Sequence, residues 1–138
     1  MENKEEIIID GTNAVLGRLA SFAAKQALLG KKVIIVNSEK VIIVGNKKDI
    51  LEKYKTRRAR GGSGLKGPFF PKEADKILKR TIRGMLDYKR GRGRNAFKNI
   101  KCFCGLPKEF EDKKMIKSGR KKKGITLEEV SKELKGGK

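Results

Sequence analysis

The stretch IIIDGTNAVLGRLASFAAKQALLGKKVIIV, residues 7–36, decides the fold, because it sets two unbroken β-branched runs on either side of one amphipathic segment. Ile7-Ile8-Ile9 and Val33-Ile34-Ile35-Val36 read as strands covered on both faces, and a helical crossover between them makes them parallel. Asp10-Gly11-Thr12-Asn13 supplies turn and N-cap chemistry, and the spacing predicts a helix from about Ala14 to Leu29 that ends at Gly30. Leu16, Leu19, Ala20, Ala23 and Ala27 follow the i, i+3, i+4, i+7, i+11 pattern of one helical face. Val15, Phe22 and Leu28 widen that face and leave Arg18, Ser21 and Lys25 as a polar stripe on a mostly buried helix. Asn37-Ser38-Glu39-Lys40 has the length of a hairpin reversal, so Val41-Ile42-Ile43-Val44 is expected antiparallel to its predecessor, in a mixed sheet.

Outward from this core the chain becomes cationic. Asn46 and Asp49 have capping-box spacing for a second helix with an apolar face of Ile50, Leu51 and Tyr54. That helix runs through Lys53, Lys55, Arg57, Arg58 and Arg60 into a glycine-rich stretch, residues 61–70, read as a loop that a partner orders. Pro71 suits the first position of a third helix, with Glu73 and Asp75 at its positive end. At about 100° per residue, Ala74, Ile77, Leu78, Ile82 and Met85 fall on one face. Lys72, Lys76, Lys79, Arg80 and Arg83 fall on the other. Lys89 to Arg94 reads as a loop leading to a short helical turn around residues 96–99, and Ile100 to Cys104 as a last strand closed by Gly105. Cys102 and Cys104 point to one face of that strand as small core residues, with Phe103 on the other. Residues 1–118 are expected as a single α/β domain and residues 119–138 as a basic tail with a short helix after Thr126.

The charge balance narrows the function. The 138 residues hold 36 Lys and Arg against 16 Asp and Glu, a formal charge of +20, and such a surface repels itself unless something anionic neutralises it. The excess is concentrated: residues 1–46 carry 6 basic and 5 acidic side chains, residues 47–101 carry 19 and 5, and residues 102–138 carry 11 and 6. No histidine is present, which removes the commonest proton-transfer residue and every His-containing metal site or triad. The Cys102-Phe103-Cys104 spacing suits neither a zinc pair nor a disulfide framework, which points to a reducing, intracellular compartment. The acidic Met1–Glu6 segment does not read as a signal peptide, and no apolar run approaches the roughly 20 residues of a membrane span.

Clustered guanidinium and ammonium groups between glycines are the chemistry of phosphate contact, and no helix-turn-helix, zinc finger or zipper accompanies them, so RNA is favoured over duplex DNA. Gly91-Arg92-Gly93-Arg94-Asn95-Ala96 fits a G-x-G-x-x-A string but follows no strand, so a dinucleotide site is set aside. Asp10-Gly11-Thr12 at a helix start is explained by capping alone. Arg18, a charge on an apolar helix, requires either a phosphate or a pairing with Asp10. Phe69 and Phe70 either stack on bases or pin the glycine loop to the protein.

Several segments resemble a known family. Ile9-Asp10-Gly11, Leu16-Gly17-Arg18-Leu19-Ala20-Ser21, Gly30-Lys31-Lys32-Val33, Val36-Asn37 and Ile42-Ile43-Val44-Gly45-Asn46 look like the N-terminal pattern of large-subunit ribosomal protein thirteen. Ile82-Arg83-Gly84-Met85-Leu86, Gly93-Arg94, Ala96-Phe97, Ile100-Lys101 and Phe103 to Gly105 are similar to its archaeal and eukaryotic signature. Asp87 stands where a proline is usual and Cys102 where an aliphatic residue is usual. The resemblance implies a three-layer α/β/α fold with a four-stranded sheet, and basic loop extensions are read beside it. It also implies ribosomal RNA as ligand, neighbouring large-subunit proteins as partners, no cofactor and no catalysis. Arg83, Gly84, Met85, Gly93 and Arg94 would then form the RNA-facing element.

The expected RNA-binding set is Arg18, Arg57, Arg58, Arg60, Lys66, Lys76, Arg80, Arg83, Gly84, Lys89, Arg90, Arg92, Gly93, Arg94 and Lys98, in a monomer within the cytoplasmic ribosome that contacts neither membrane nor small-molecule substrate. A free regulatory RNA-binding protein and an RNA-processing enzyme are the rival readings. The enzyme would have to work with Asp10, Asp49 or Asp87 alone as base.

Overall fold

A computed structural model describes residues 5–61, 73–87, 89–111, 113, 115–117 and 124–136, with backbone alone at 57–61, 117 and 136. Its centre is the expected parallel pair: β1 (Glu6–Asp10) and β2 (Lys32–Val36) run in register from Glu6↔Lys32 to Asp10↔Val36, joined by α1 (Leu16–Leu28). Strand alternation sends Ile7, Ile9, Val33 and Ile35 to the helical face and Ile8, Ile34 and Val36 to the other. Each fully buried isoleucine here contributes about 2–3 kcal/mol. The turn before α1 differs from expectation. Val15 is the N-cap and, with no polar atom in its side chain, makes no cap bond; its extended conformation comes from Ile42, which bridges it and whose N–H donates to the Ala14 carbonyl at 2.7 Å. Gly30 ends the helix at φ +90°.

The expected hairpin after β2 does not form. Asn37 takes φ +55° and opens a 3₁₀ turn, Ser38–Lys40, that carries the chain out of the sheet. Asp10 fixes this exit: its Oδ1 accepts from Thr12 N at 3.0 Å, Thr12 Oγ1 at 2.7 Å and Asn37 Nδ2 at 3.1 Å. Gly11 lies so close to the same turn that a Cβ there would stand 2.8 Å from Val41 Cγ2 and 2.9 Å from the Asn37 carbonyl oxygen. β3 (Ile42–Val44) therefore pairs antiparallel with β6 (Gly124–Thr126) in a separate two-stranded sheet. The slot beside β2 is taken by β4 (Ile100–Cys102), and the two-residue β5 (Ile116–Lys117) adds to β1. The main sheet, in order β4-β2-β1-β5, is parallel throughout, which corrects the mixed sheet.

The fold is mixed α/β, but the second outer layer differs from the one expected. Residues of α1, of α2 (Lys47–Gly61), α3 (Ala74–Gly84), α4 (Gly91–Lys98) and α5 (Leu127–Gly136) all join the core on one face. The opposite face is covered, among the described residues, by the 3₁₀ turn Lys108–Phe110 and Met115, with the Phe110 and Phe103 rings 5.7 Å apart. Asn46 caps α2 by accepting from Lys48 N at 3.0 Å, and Thr126 caps α5 by accepting from Glu129 N at 3.3 Å. The segment expected as a basic tail belongs to the main core through Ile125, Leu127, Val130 and Leu134. β4 stops at Cys102, so Cys102 lies partly buried against the core while Cys104 is at the surface and not in it. Burial pushes the Cys102 thiol up to about 12. Cys104 is raised as well, first by its partial burial and then by Asp75, Glu39 and Glu73, against a lowering backbone hydrogen bond.

Two outcomes test this packing. Leu127→Ala should lower unfolding stability by about 2–5 kcal/mol in chemical denaturation, and a loss under about 0.5 kcal/mol would show that α5 is not a core element. Iodoacetamide at pH 8 should modify Cys104 faster than Cys102, whose thiol stays protonated, as read by peptide mass spectrometry; equal rates would contradict the burial of Cys102.

Candidate nucleic-acid interface

The interface builds from α3 and α4. α3 buries Ala74, Ile77, Leu78 and Ile82, which leaves Lys76 exposed and Lys79, Arg80 and Arg83 half-buried around the rest of its circumference. Met85, expected on the buried face, lies past the helix end and is exposed, and Leu86 is buried in its place. Residues 74–98 contain nine basic and two acidic side chains, so the stretch lacks the carboxylates to neutralise itself.

The largest departure from expectation is local. Gly91 to Arg94 is not a loop but the first turn of α4, with Arg90 as an extended N-cap. The cause is steric: Gly93 is buried, and a Cβ on it would stand 2.0 Å from the Asp87 carbonyl oxygen. Glycine at 93 thus serves the chain's own close packing, while at Gly84 a Cβ would meet nothing within 4 Å. Helical winding places Arg90, Arg94 and Lys98 roughly 40° apart on successive turns, all exposed, with Arg92 exposed on another side. Arg90 Nε is 3.1 Å from Asp87 Oδ2, and Arg94 Nη2 donates to the Lys89 carbonyl at 3.5 Å. Both contacts are at the surface, where such pairs contribute about 0–1 kcal/mol and yield readily to a phosphate. Lys79 Nζ lies 5.1 Å from the Phe97 ring centroid, a cation–π contact that joins the charged side of α3 to α4. Lys79 was on the predicted cationic face but outside the expected contact set; its spacing from Phe97 in sequence gives no signal of the contact.

Other expected residues lie elsewhere. Arg18 is exposed on α1, and the Asp10 carboxylate is engaged by Thr12 and Asn37. Arg57, Arg58 and Arg60 belong to the last turns of α2, and their side chains, with Lys66, Phe69, Phe70, Pro71 and Lys72, are outside the described residues. α5 packs against both α2 and α3, and its carboxylates take up α2 cations: Lys55 Nζ is 2.7 Å from Glu133 Oε1 and Lys47 Nζ 3.7 Å from Glu129 Oε2. The Lys55 hydrogen bond and charge hold the Glu133 carboxyl below its ordinary range. Among the described residues no helix is long and apolar enough to cross a membrane, and no three His, Cys, Asp or Glu side chains gather as a metal site.

Comparison with known proteins bears on the same residues. The sequence model of the family described as ribosomal protein L13 matches residues 4–109. A large ribosomal subunit protein uL13 of Archaeoglobus fulgidus is 42% identical over 135 residues, 92% of this chain and 86% of the relative. The uL13 protein of Methanocaldococcus jannaschii is 45% identical over 131 residues, 92% of this chain and 96% of its own. That of Methanosarcina barkeri is 49% identical over 110 residues, 79% and 78% respectively.

The two glycines of the face separate by mutation. Gly93→Ala should cost about 1–3 kcal/mol in thermal or chemical unfolding, because the Asp87 backbone has to shift. Gly84→Ala should stay within about 0.5 kcal/mol of the parent. Equal effects would show that the Asp87–Gly93 approach does not hold α4 in place.

Proposed function

The chain belongs to the ribosomal protein L13 family, and on that premise we propose that it is a structural constituent of the large ribosomal subunit whose α3–α4 face neutralises phosphates of ribosomal RNA. The observation that carries this reading is the exposed Arg90–Arg94–Lys98 stripe on a helix beside the cationic side of α3, with nine basic and two acidic residues between positions 74 and 98. The part played is structural and not enzymatic, and its place is the cytoplasmic ribosome, with large-subunit proteins as neighbours. Arg80, Arg83, Lys76 and Arg92 extend the contact from the same two helices and Lys89 from the turn between them, with Arg18 from α1 and Arg57, Arg58, Arg60 and Lys66 from α2 and the glycine-rich stretch. Gly84, open on its Cβ side, lets an RNA backbone approach the end of α3.

Salt and charge reversal test it. Complex formation with large-subunit RNA should weaken linearly in log salt, by a slope of about −0.7 for each phosphate neutralised on single strands. Arg90→Glu, Arg94→Glu and Lys98→Glu together should flatten that slope by about 2 and abolish co-sedimentation with the subunit, with circular dichroism unchanged. A salt-insensitive complex, or a triple variant that still sediments with the subunit, would overturn the assignment.

A further inference from the structure

The α3–α4 face leaves one neighbouring surface unaccounted for. Arg18, Phe22, Lys25 and Leu29 recur at i, i+4, i+7 and i+11, so they share one outward stripe of α1. Phe22, expected in the buried face, is 39% exposed, and Leu29 is 62% exposed. Met85, 45% exposed, comes from beyond the end of α3, and Arg92 from α4. Between α1 and these two residues runs a shallow groove of about 540 Å³, walled by Leu28, Leu29 and Met85 and edged by Ser21, Lys25 and Arg92.

Resting on the ribosomal reading above, we infer that this groove docks another protein of the subunit, which seats an apolar side chain on Leu28, Leu29 and Met85 and sets a carboxylate against Lys25, beside the Arg92 that borders the RNA contact. The walls are aliphatic: they offer no flat ring on which a base stacks, and an unpaired base would bring its polar edges against Leu29 and Met85 without partners. Methionine and arginine around an apolar centre are the composition of a protein interface, and a flexible thioether shapes itself to a partner's side chain. The lining residues hold two cations and no carboxylate, so complementarity calls for an acidic partner. The α1 terminus at the end of the groove does not reverse that sign. Three of its last four carbonyls are already taken by Leu29 N, Gly30 N and Lys31 N, at 3.1, 3.0 and 3.2 Å from the oxygens of Lys25, Ala27 and Gln26.

The test is a site-specific photocrosslink. Leu29→p-benzoylphenylalanine is introduced into the full chain, large subunits carrying it are purified and irradiated, and the product is sequenced by mass spectrometry. The expected product joins position 29 to a protein peptide with a large apolar residue and an Asp or Glu within about four positions of it. Lys25→Glu in the same background should cut its yield, normalised to incorporated chain, at least roughly tenfold. A crosslink to RNA, to a peptide without carboxylates, or no crosslink in subunits that contain the chain overturns the inference and leaves the RNA-binding reading standing. Failure of the parent chain to enter subunits at all would sink both.

Discussion

The Asp10 carboxylate, nearly buried at the end of β1, gathers Thr12 and Asn37 around one oxygen, and the path of the chain depends on that knot. One oxygen that accepts from Thr12 N, Thr12 Oγ1 and Asn37 Nδ2 ties the β1–α1 turn to the end of β2. With Asn37 held in the left-handed region, the backbone leaves the sheet instead of folding back along β2. Gly11 completes the constraint, since no side chain fits between the two turns. The edge of β2 is thereby left for β4, and β4 brings α3 and α4 over the same sheet face as α1.

Once α3 and α4 are docked, charge sorts itself by element. Glu129, Glu133 and Glu73 take Lys47, Lys55 and Lys135, and Glu6 takes Lys32 and Lys113, so part of the charge around the core is compensated within the chain. These pairs are exposed and contribute little to stability, but each lowers the local field. Along α3 and α4 the carboxylates are too few to do the same. A surplus of cationic side chains over carboxylates raises the cost of the isolated fold and lowers it on a polyanion, which is the electrostatic condition for an RNA-bound constituent.

The β1-α1-β2 core was legible in the sequence because unbroken β-branched runs and a long periodic face have few alternative explanations. The caps at Asn46 and Thr126 and the buried face of α3 were legible for the same reason: each is a local pattern with a local cause. The candidate site was legible as a composition, in the clustered Lys and Arg, and as a family resemblance over the first three quarters of the chain. Its shape was not. Gly-Arg-Gly-Arg reads as a loop by propensity, and it winds into α4 because a buried Gly93 fits against the Asp87 backbone, a contact that no periodicity announces. Phe22 read as core because it flanks an apolar stripe, yet the described fold leaves it 39% exposed.

What the sequence by itself determined was therefore the parallel core, the amphipathic helices, and the presence and sign of the charge on which the proposed RNA contact rests, all of which follow from residue type and short-range spacing. Only the tertiary structure decided which strand lies beside β2, that Ile125 and Leu127 of the C-terminal segment complete the core, and how the arginines of α4 are aimed. Those outcomes turn on contacts between residues far apart in the chain, such as Asn37 with Asp10, Ile43 with Ile125 and Lys79 with Phe97, and such contacts leave no trace in local pattern.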